Sequence, residues 1–229
     1  MVTKCLYQKT PTSIQAQIDS YRQKLKNNTN FIEITDLGSG SRVFKNNHRK
    51  ISDIAKNAGV SKKYAQLLNR IVGYLDCKNI LELGTSLGMG TFSILANHPK
   101  IKVTSIEGCS KTLAVAQEQL MNYNLQLNLV QGDFNKILPK VIDANTYDLV
   151  FFDGNHQKEA TLIYFKQCLK AKHNNSVFIF DDIYWSEGMK EAWQEIKKHP
   201  EVTATVDLFQ WGLVFFRTEQ NKEHFKIRF

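Results

Sequence analysis

The sequence has no apolar run approaching the roughly 20 residues that span a bilayer, and its start, MVTKCLYQKT, has no apolar stretch of the signal-peptide kind. Both absences lead to the expectation of a soluble, cytoplasmic protein with no membrane partner. Cysteine is scarce as well: Cys5, Cys77, Cys109 and Cys168 stand apart, without CxxC spacing. That argues against a zinc knuckle and a disulfide framework, and leaves reduced thiols. Repeats and low-complexity linkers are also missing. With 229 residues and 42% hydrophobic content, the chain can bury one sizeable core, whereas two full domains would both be undersized. The expected organisation is a main domain over 61–229 preceded by a helical and loop appendage over 1–60.

What the sequence does have is excess positive charge, a formal +8. It is densest at Arg42, Lys45, His48, Arg49 and Lys50, followed by Lys56, Lys62 and Lys63. Such a stretch either attracts a phosphate-bearing partner or forms ordinary solvated faces, and both readings stay open here.

Periodicity divides the chain near residue 79. Before it, the pattern predicts a helix around Ile14 to Leu25, an extended piece FIEIT over 31–35, and a loop holding Gly38, Gly40 and Ser41. Ile51, Ile54, Ala55 and Ala58 share one helical face, and Gly59 is placed to stop that helix. Ser61 can cap a second helix, with Tyr64, Leu67, Leu68, Ile71, Val72 and Leu75 along one stripe. From residue 79, apolar strands alternate with helical stretches: NILELG (79–84), KVTSIE (102–107), LNLVQ (127–131), YDLVFFD (147–153) and SVFIFD (176–181). The intervals leave room for crossover helices, so these strands are expected to be parallel and covered on both faces. Ser186 can cap the helix carrying Met189, Ala192, Trp193 and Ile196, and Pro200 follows its end. VTATVDLF (202–209) and GLVFFR (212–217) have no helix between them and must pair antiparallel.

In such a sheet a ligand sits beyond the carboxyl ends of the parallel strands. After the first strand comes Glu82-Leu83-Gly84-Thr85-Ser86-Leu87-Gly88, where glycines allow close backbone approach. At the second strand end, Glu107, followed by Gly108, can accept both hydroxyls of a ribose. At the third, Asp133 can accept from an adenine amino group and Phe134 can flank the ring. Together they describe an adenosine pocket. A dinucleotide enzyme would want G-x-G-x-x-G to bring a helix N-terminus onto a pyrophosphate. The chain offers G-x-x-x-G preceded by the acid Glu82, which suits a cationic sulfonium better.

ILELGTSLGMGT, SIEG, QGDF, YDLVFFDGNH and VFIFDDI, in this order, resemble the motifs of the class I S-adenosylmethionine-dependent methyltransferases, particularly the small metal-dependent O-methyltransferases of the catechol and caffeoyl-CoA type. The likeness covers residues 60 to 217. It implies a doubly wound, seven-stranded, mostly parallel α/β sheet in the order 3-2-1-4-5-7-6. The helix from Tyr64 to Leu75 would close over S-adenosylmethionine, and the appendage would cover cofactor and substrate. The cofactor-facing set comprises Glu82, Gly84, Thr85, Ser86 and Gly88, then Glu107, Gly108, Asp133, Phe134 and Asp153.

In the metal-dependent enzymes an aspartate ends the fourth strand and an Asp-Asn pair ends the fifth. Asp153 and Asp181 fall at matching places, while Asp182 replaces the asparagine. The resemblance therefore implies a site for Mg²⁺, Mn²⁺ or Ca²⁺ at Asp153, Asp181 and Asp182, against the simpler reading that strand-end aspartates cap helices. His156 stands where the family carries a proton-accepting lysine; it can act as the base, ligate a metal, or orient the loop through Asn155. Trp185 and Trp211 fall near the acceptor side. The implied partner is a small hydroxylated acceptor, with RNA as a second candidate and a homodimer left open.

A rival reading attaches to ISDIAKNAGVSKKYAQLLNR (51–70), which is similar to the helix-turn-helix of lac-repressor-type regulators, with Lys62, Lys63 and Arg70 available for phosphates. Against it, the second helix continues through an apolar stripe into the first strand.

Overall fold

The computed structural model describes residues 1–35, 38, 40, 46–143 and 145–229; Arg42 and Lys45 of the basic stretch, and Ser41 of the predicted loop, lie outside them. After a short π-helical turn, Val2–Leu6, come α1 (Thr12–Asn27), the antiparallel pair β1 (Phe31–Glu33) and β2 (His48–Lys50), α2 (Ile51–Asn57) and α3 (Lys62–Tyr74). The apolar stripes predicted for these helices are their buried faces. Ser61 does occupy the N-cap position of α3 with extended backbone, but its side chain makes no capping bond. The cap expected at Ser186 does form, its hydroxyl accepting from the Met189 N–H at 3.1 Å.

The main sheet runs through β3 (Asn79–Leu83), β4 (Lys102–Glu107), β5 (Gln126–Gln131), β6 (Leu149–Phe152), β7 (Val177–Phe180), β8 (Ala204–Asp207), β9 (Gly212–Phe215) and β10 (Glu223–Lys226). The crossover helices are α4 (Met89–Leu95), α5 (Ser110–Leu120), α6 (Phe134–Ile142) and α7 (Lys158–Cys168), with α8 (Glu187–Lys198) between β7 and β8. Strand order is β10-β8-β9-β7-β6-β3-β4-β5. Seven of these strands reproduce the expected 3-2-1-4-5-7-6, with β9 antiparallel to both β7 and β8. The eighth, β10, adds parallel to β8 at the edge. No apolar alternation announces β10, because all four of its residues are exposed.

Strict alternation along the central strands sorts the core into two layers. Ile80, Leu149, Phe151, Val177 and Ile179 point to the face covered by the N-terminal helices and α4. Leu81, Leu83, Val150, Phe152, Phe178 and Phe180 point to the face under α6, α7 and α8. In β6 and β7 every residue is buried, which is why both read as unbroken apolar runs.

The N-terminal segment packs into the first layer, and the apolar stripe of α3 packs with it. Tyr64, Leu67, Leu68, Ile71 and Val72 are buried in it. The cations that would have met phosphates have partners inside the molecule. Lys62 pairs with Asp19 at 2.6 Å, Lys63 lies over the Phe229 ring, and Arg70 donates to the Cys5 and Leu6 carbonyls and to the Thr10 hydroxyl. The helix-turn-helix expectation fails on this packing: a reading helix needs its polar side turned to DNA. Among the described residues no helix is long and apolar enough to cross a membrane.

Candidate active site

Beyond the carboxyl ends of β3, β4, β5, β6 and β7 lies a cleft of about 500 Å³. The turn after β3 forms one wall. Gly84 has φ +111°, and a Cβ there would stand 2.1 Å from the Asp153 carbonyl oxygen, so the ends of β3 and β6 meet only because this residue is glycine. Ser86, at φ +49°, lines the cleft in a left-handed conformation.

Glu107 ends β4 and also lines the cleft. Its Oε2 accepts from the Ser86 N–H and its Oε1 from the Cys109 N–H, both at 2.8 Å. Burial pushes its carboxyl pKa up, while the backbone donors oppose that shift. Each oxygen keeps a lone pair beyond these bonds, so hydroxyl donors from a ligand can still be accepted. Gly108 lines the cleft beside it. After β5, Asp133 lines the cleft as the N-cap of α6, its Oδ1 accepting from the Asn135 N–H at 2.8 Å. The helix-capping role and a cleft-facing role thus coexist in one side chain. Phe134 follows, its ring edge-on to Tyr164 at 5.5 Å.

Three residues expected at the ligand surface do not reach it; none of them lines the cleft. Glu82 is 0% exposed and lies under the floor, accepting from Thr91 Oγ1 and Ser105 Oγ, both at 2.5 Å. Thr85 is buried too, its hydroxyl turned to Ser105. Gly88, at φ +77°, packs against α1: a Cβ there would be 2.6 Å from the Tyr21 hydroxyl, which itself donates to the Leu87 carbonyl. The side chain of residue 82 points to the α4 face because the strand alternates, and the helix covers it.

On the other side of the cleft, Asp153 and Asp181 come together from β6 and β7. Burial raises the Asp153 pKa well above the carboxylate range, and the facing Asp181 carboxyl adds to the rise through charge and a shared hydrogen bond. Asp181 is buried and its Oδ1 accepts from the Asp182 N–H at 2.7 Å and from Gln210 Nε2 at 3.2 Å. Asp182 lines the cleft at φ +54°. Among the described residues no group of three or more His, Cys, Asp or Glu side chains is placed to hold a metal ion. Asp181 directs one oxygen to its neighbour's backbone and to Gln210.

His156 lines the cleft next to this pair. The loop carrying it is anchored by its neighbours: Asn155, at φ +52°, donates to the Tyr164 hydroxyl at 3.1 Å, and Gln157 donates to the Gly38 carbonyl at 3.2 Å. Trp185 lines the cleft. Trp211 does not; it is fully buried between Tyr64 and Phe151 and belongs to the core.

Several lining residues had no signal in the strand-end motifs. Ile34, Thr35, Gly38, Arg49 and Asn57 come from the N-terminal segment, which is tied to the strand ends where the Thr35 N–H reaches Cys109 Sγ at 3.3 Å. Arg49 belongs to the basic stretch noted in the sequence. Gln210, in the β8–β9 turn, was visible in no pattern.

Residues 81–183 match the model of a family described as a methyltransferase domain. A catechol O-methyltransferase from Niastella koreensis is 28% identical over 129 residues, which are 54% of this chain and 58% of the relative; the chain thus spans a little over half of that protein. Among solved structures, the O-methyltransferase TomG from Streptomyces achromogenes, in complex with SAM, superposes with a TM-score of 0.63 at 20% identity, over 70% of this chain and 82% of that one. A putative O-methyltransferase from Klebsiella pneumoniae gives a TM-score of 0.65 at 16% identity, over 95% and 94%. These likenesses in structure concern the fold. Residues 81–183 are thus similar to a methyltransferase domain, and the chain shares its fold with these solved structures. The named relative and the solved structures it resembles are O-methyltransferases.

Proposed function

We propose that the protein transfers a methyl group from S-adenosylmethionine to a hydroxyl of a small acceptor. The observation that carries this reading is the convergence of Glu107, Asp133, Phe134 and the Gly84–Ser86 turn on one side of a single cleft, with Asp153, Asp181 and His156 on the other. When bound, S-adenosylmethionine supplies an electrophilic methyl group on a sulfonium. Glu107 would accept the ribose hydroxyls on the lone pairs its backbone donors leave, Asp133 the adenine amino group, and Phe134 would flank the ring. Gly84, Ser86 and Gly108 offer backbone where the ligand passes close. Glu82, Thr85 and Gly88 would shape this wall from behind, and residues 1–60 would cover both ligands.

On the acceptor side, His156 would take the hydroxyl proton as the oxygen attacks the methyl carbon, and Trp185 would pack the acceptor. Asp153 and Asp181 offer oxygen donors of the kind that Mg²⁺, Mn²⁺ or Ca²⁺ prefers. Two mutually repelling carboxyls, one of them held toward its protonated form, are chemically suited to a divalent cation, with Asp182 as a third donor on the same loop. Such a cation would acidify the acceptor hydroxyl.

Calorimetry with S-adenosylhomocysteine, followed by transfer of labelled methyl to a panel of hydroxylated aromatics with and without EDTA, tests the reading. Binding of S-adenosylhomocysteine well above that of NAD is expected. So is transfer that chelation abolishes and Mg²⁺ or Mn²⁺ restores. No binding of S-adenosylhomocysteine refutes the function; full transfer after exhaustive chelation refutes the cation.

A further inference from the structure

Under the floor of the cleft runs a row of hydroxyls that the strand-end residues leave unexplained. Ser105 on β4 stands directly opposite Glu82 on β3 in the parallel register. Ser105 Oγ lies 2.5 Å from Glu82 Oε2 and 2.5 Å from Thr85 Oγ1, and Thr91 Oγ1 of α4 reaches the same carboxylate oxygen. All four residues are buried, at 0 to 2% exposure. A hydroxyl has one proton to give. With Glu82 Oε2 accepting from Ser105, the Ser105 oxygen is left to accept from Thr85. The direction of the chain is therefore Thr85 to Ser105 to Glu82, with Thr91 donating from the other side.

Thr85 is the middle residue of the turn whose two neighbours line the cleft. Ser86 holds φ +49°, a region that costs a residue other than glycine on the order of 1 kcal/mol and persists only where its surroundings enforce it. One tether is visible in the Glu107 carboxylate on the Ser86 N–H. The second is the inward-turned Thr85 hydroxyl. Both tethers originate from one face of β4, at positions 105 and 107, two residues apart.

We propose that Ser105 is a positioning residue for cofactor binding: anchored on Glu82, it takes up the Thr85 hydroxyl and so fixes the shape of the Gly84–Ser86 turn that S-adenosylmethionine meets. Ser105 does not line the cleft, so it acts through Thr85. The inference rests on the methyltransferase reading above.

The test measures S-adenosylhomocysteine affinity by calorimetry, and thermal stability in parallel, for the wild type, Ser105→Ala, Thr85→Val, the double variant and Thr85→Ser. Loss of one buried hydrogen bond of this chain is expected to raise Kd about tenfold in each single variant. The double variant is expected near the same tenfold rather than about a hundredfold, because both changes break one chain. Thr85→Ser keeps the hydroxyl and is expected to keep the affinity. If Ser105→Ala does not fold, the contrast between Thr85→Val and Thr85→Ser decides alone. Equal affinity for those two, with only the melting temperature lowered in Thr85→Val, overturns the relay. A wild type that binds no S-adenosylhomocysteine overturns the methyltransferase reading and the relay with it; a wild type that binds, beside an unaffected Thr85→Val, overturns the relay alone.

Discussion

Glu82 is a carboxyl with no exposed surface, and its cost should be measurable as a pH dependence of stability. Burial drives its pKa from the ordinary 4.5 to about 7, the hydrogen bonds from Ser105 and Thr91 lowering it and the charge of Glu107 raising it further. Between those two values the folded protein holds a proton that the unfolded chain has released, so stability falls as pH rises through that window. The interval, 7 − 4.5 = 2.5, at 1.36 kcal/mol per pH unit corresponds to about 3 kcal/mol. Glu82→Gln removes the titration while keeping an acceptor for the two hydroxyls. Its amide nitrogen would take the place of Oε1, an atom that has no hydrogen-bond partner. Urea unfolding of both proteins at pH 5 and pH 8 isolates the effect, because titrations of other groups cancel in the difference when the slopes agree. Wild type is expected to lose about 2.5 kcal/mol more than Glu82→Gln between the two conditions, since part of the unfolded-state ionisation is already complete at pH 5. Parallel pH profiles for the two proteins would refute the assignment of Glu82 as a carboxyl held neutral by burial.

Two further perturbations follow from the same geometry. Glu107→Gln sets an amide N–H₂ against one of two backbone donors, Ser86 N–H or Cys109 N–H, so S-adenosylhomocysteine should bind tenfold or more weakly by calorimetry, at about 1.5 to 3 kcal/mol per bond to a charged group; a folded variant of unchanged affinity contradicts the role of Glu107. Gly84→Ala places a Cβ 2.1 Å from the Asp153 carbonyl at a φ of +111°, so the variant should lose more than about 3 kcal/mol or fail to accumulate folded. A melting temperature within a degree of wild type would show that β3 and β6 do not meet there as described.

The central strands were legible because a parallel sheet covered on both faces leaves unbroken apolar runs, as in LVFF and VFIF. By the same logic β10 was not legible: an edge strand of four exposed residues carries no apolar pattern. The acids at strand ends stood out by type and position, and Glu107, Asp133, Asp153 and Asp181 do line the cleft. Glu82 belonged to the same motif yet lies beneath it, and Trp211 proved to be core. Ser105 and Gln210 gave no signal, since a serine within a strand or a glutamine within a turn gains meaning only from what stands opposite.

What the sequence by itself determined is the set of local choices: which segments alternate or repeat every 3.6 residues, where glycine permits a positive φ, and which acids follow which strands. The strand order was not among them; it was implied by the resemblance to the class I methyltransferases, and right-handed crossovers are only consistent with it. Only the tertiary structure decided which of those acids share a space. Register sets Ser105 against Glu82, α4 covers Glu82 while Glu107 and Asp153, on the same face but at the strand ends, line the cleft, and the packing of α1 against the strand-end turns uses Gly88 for a contact with Tyr21. Side-chain direction and long-range proximity are properties of the assembled sheet, and no window of neighbouring residues contains them.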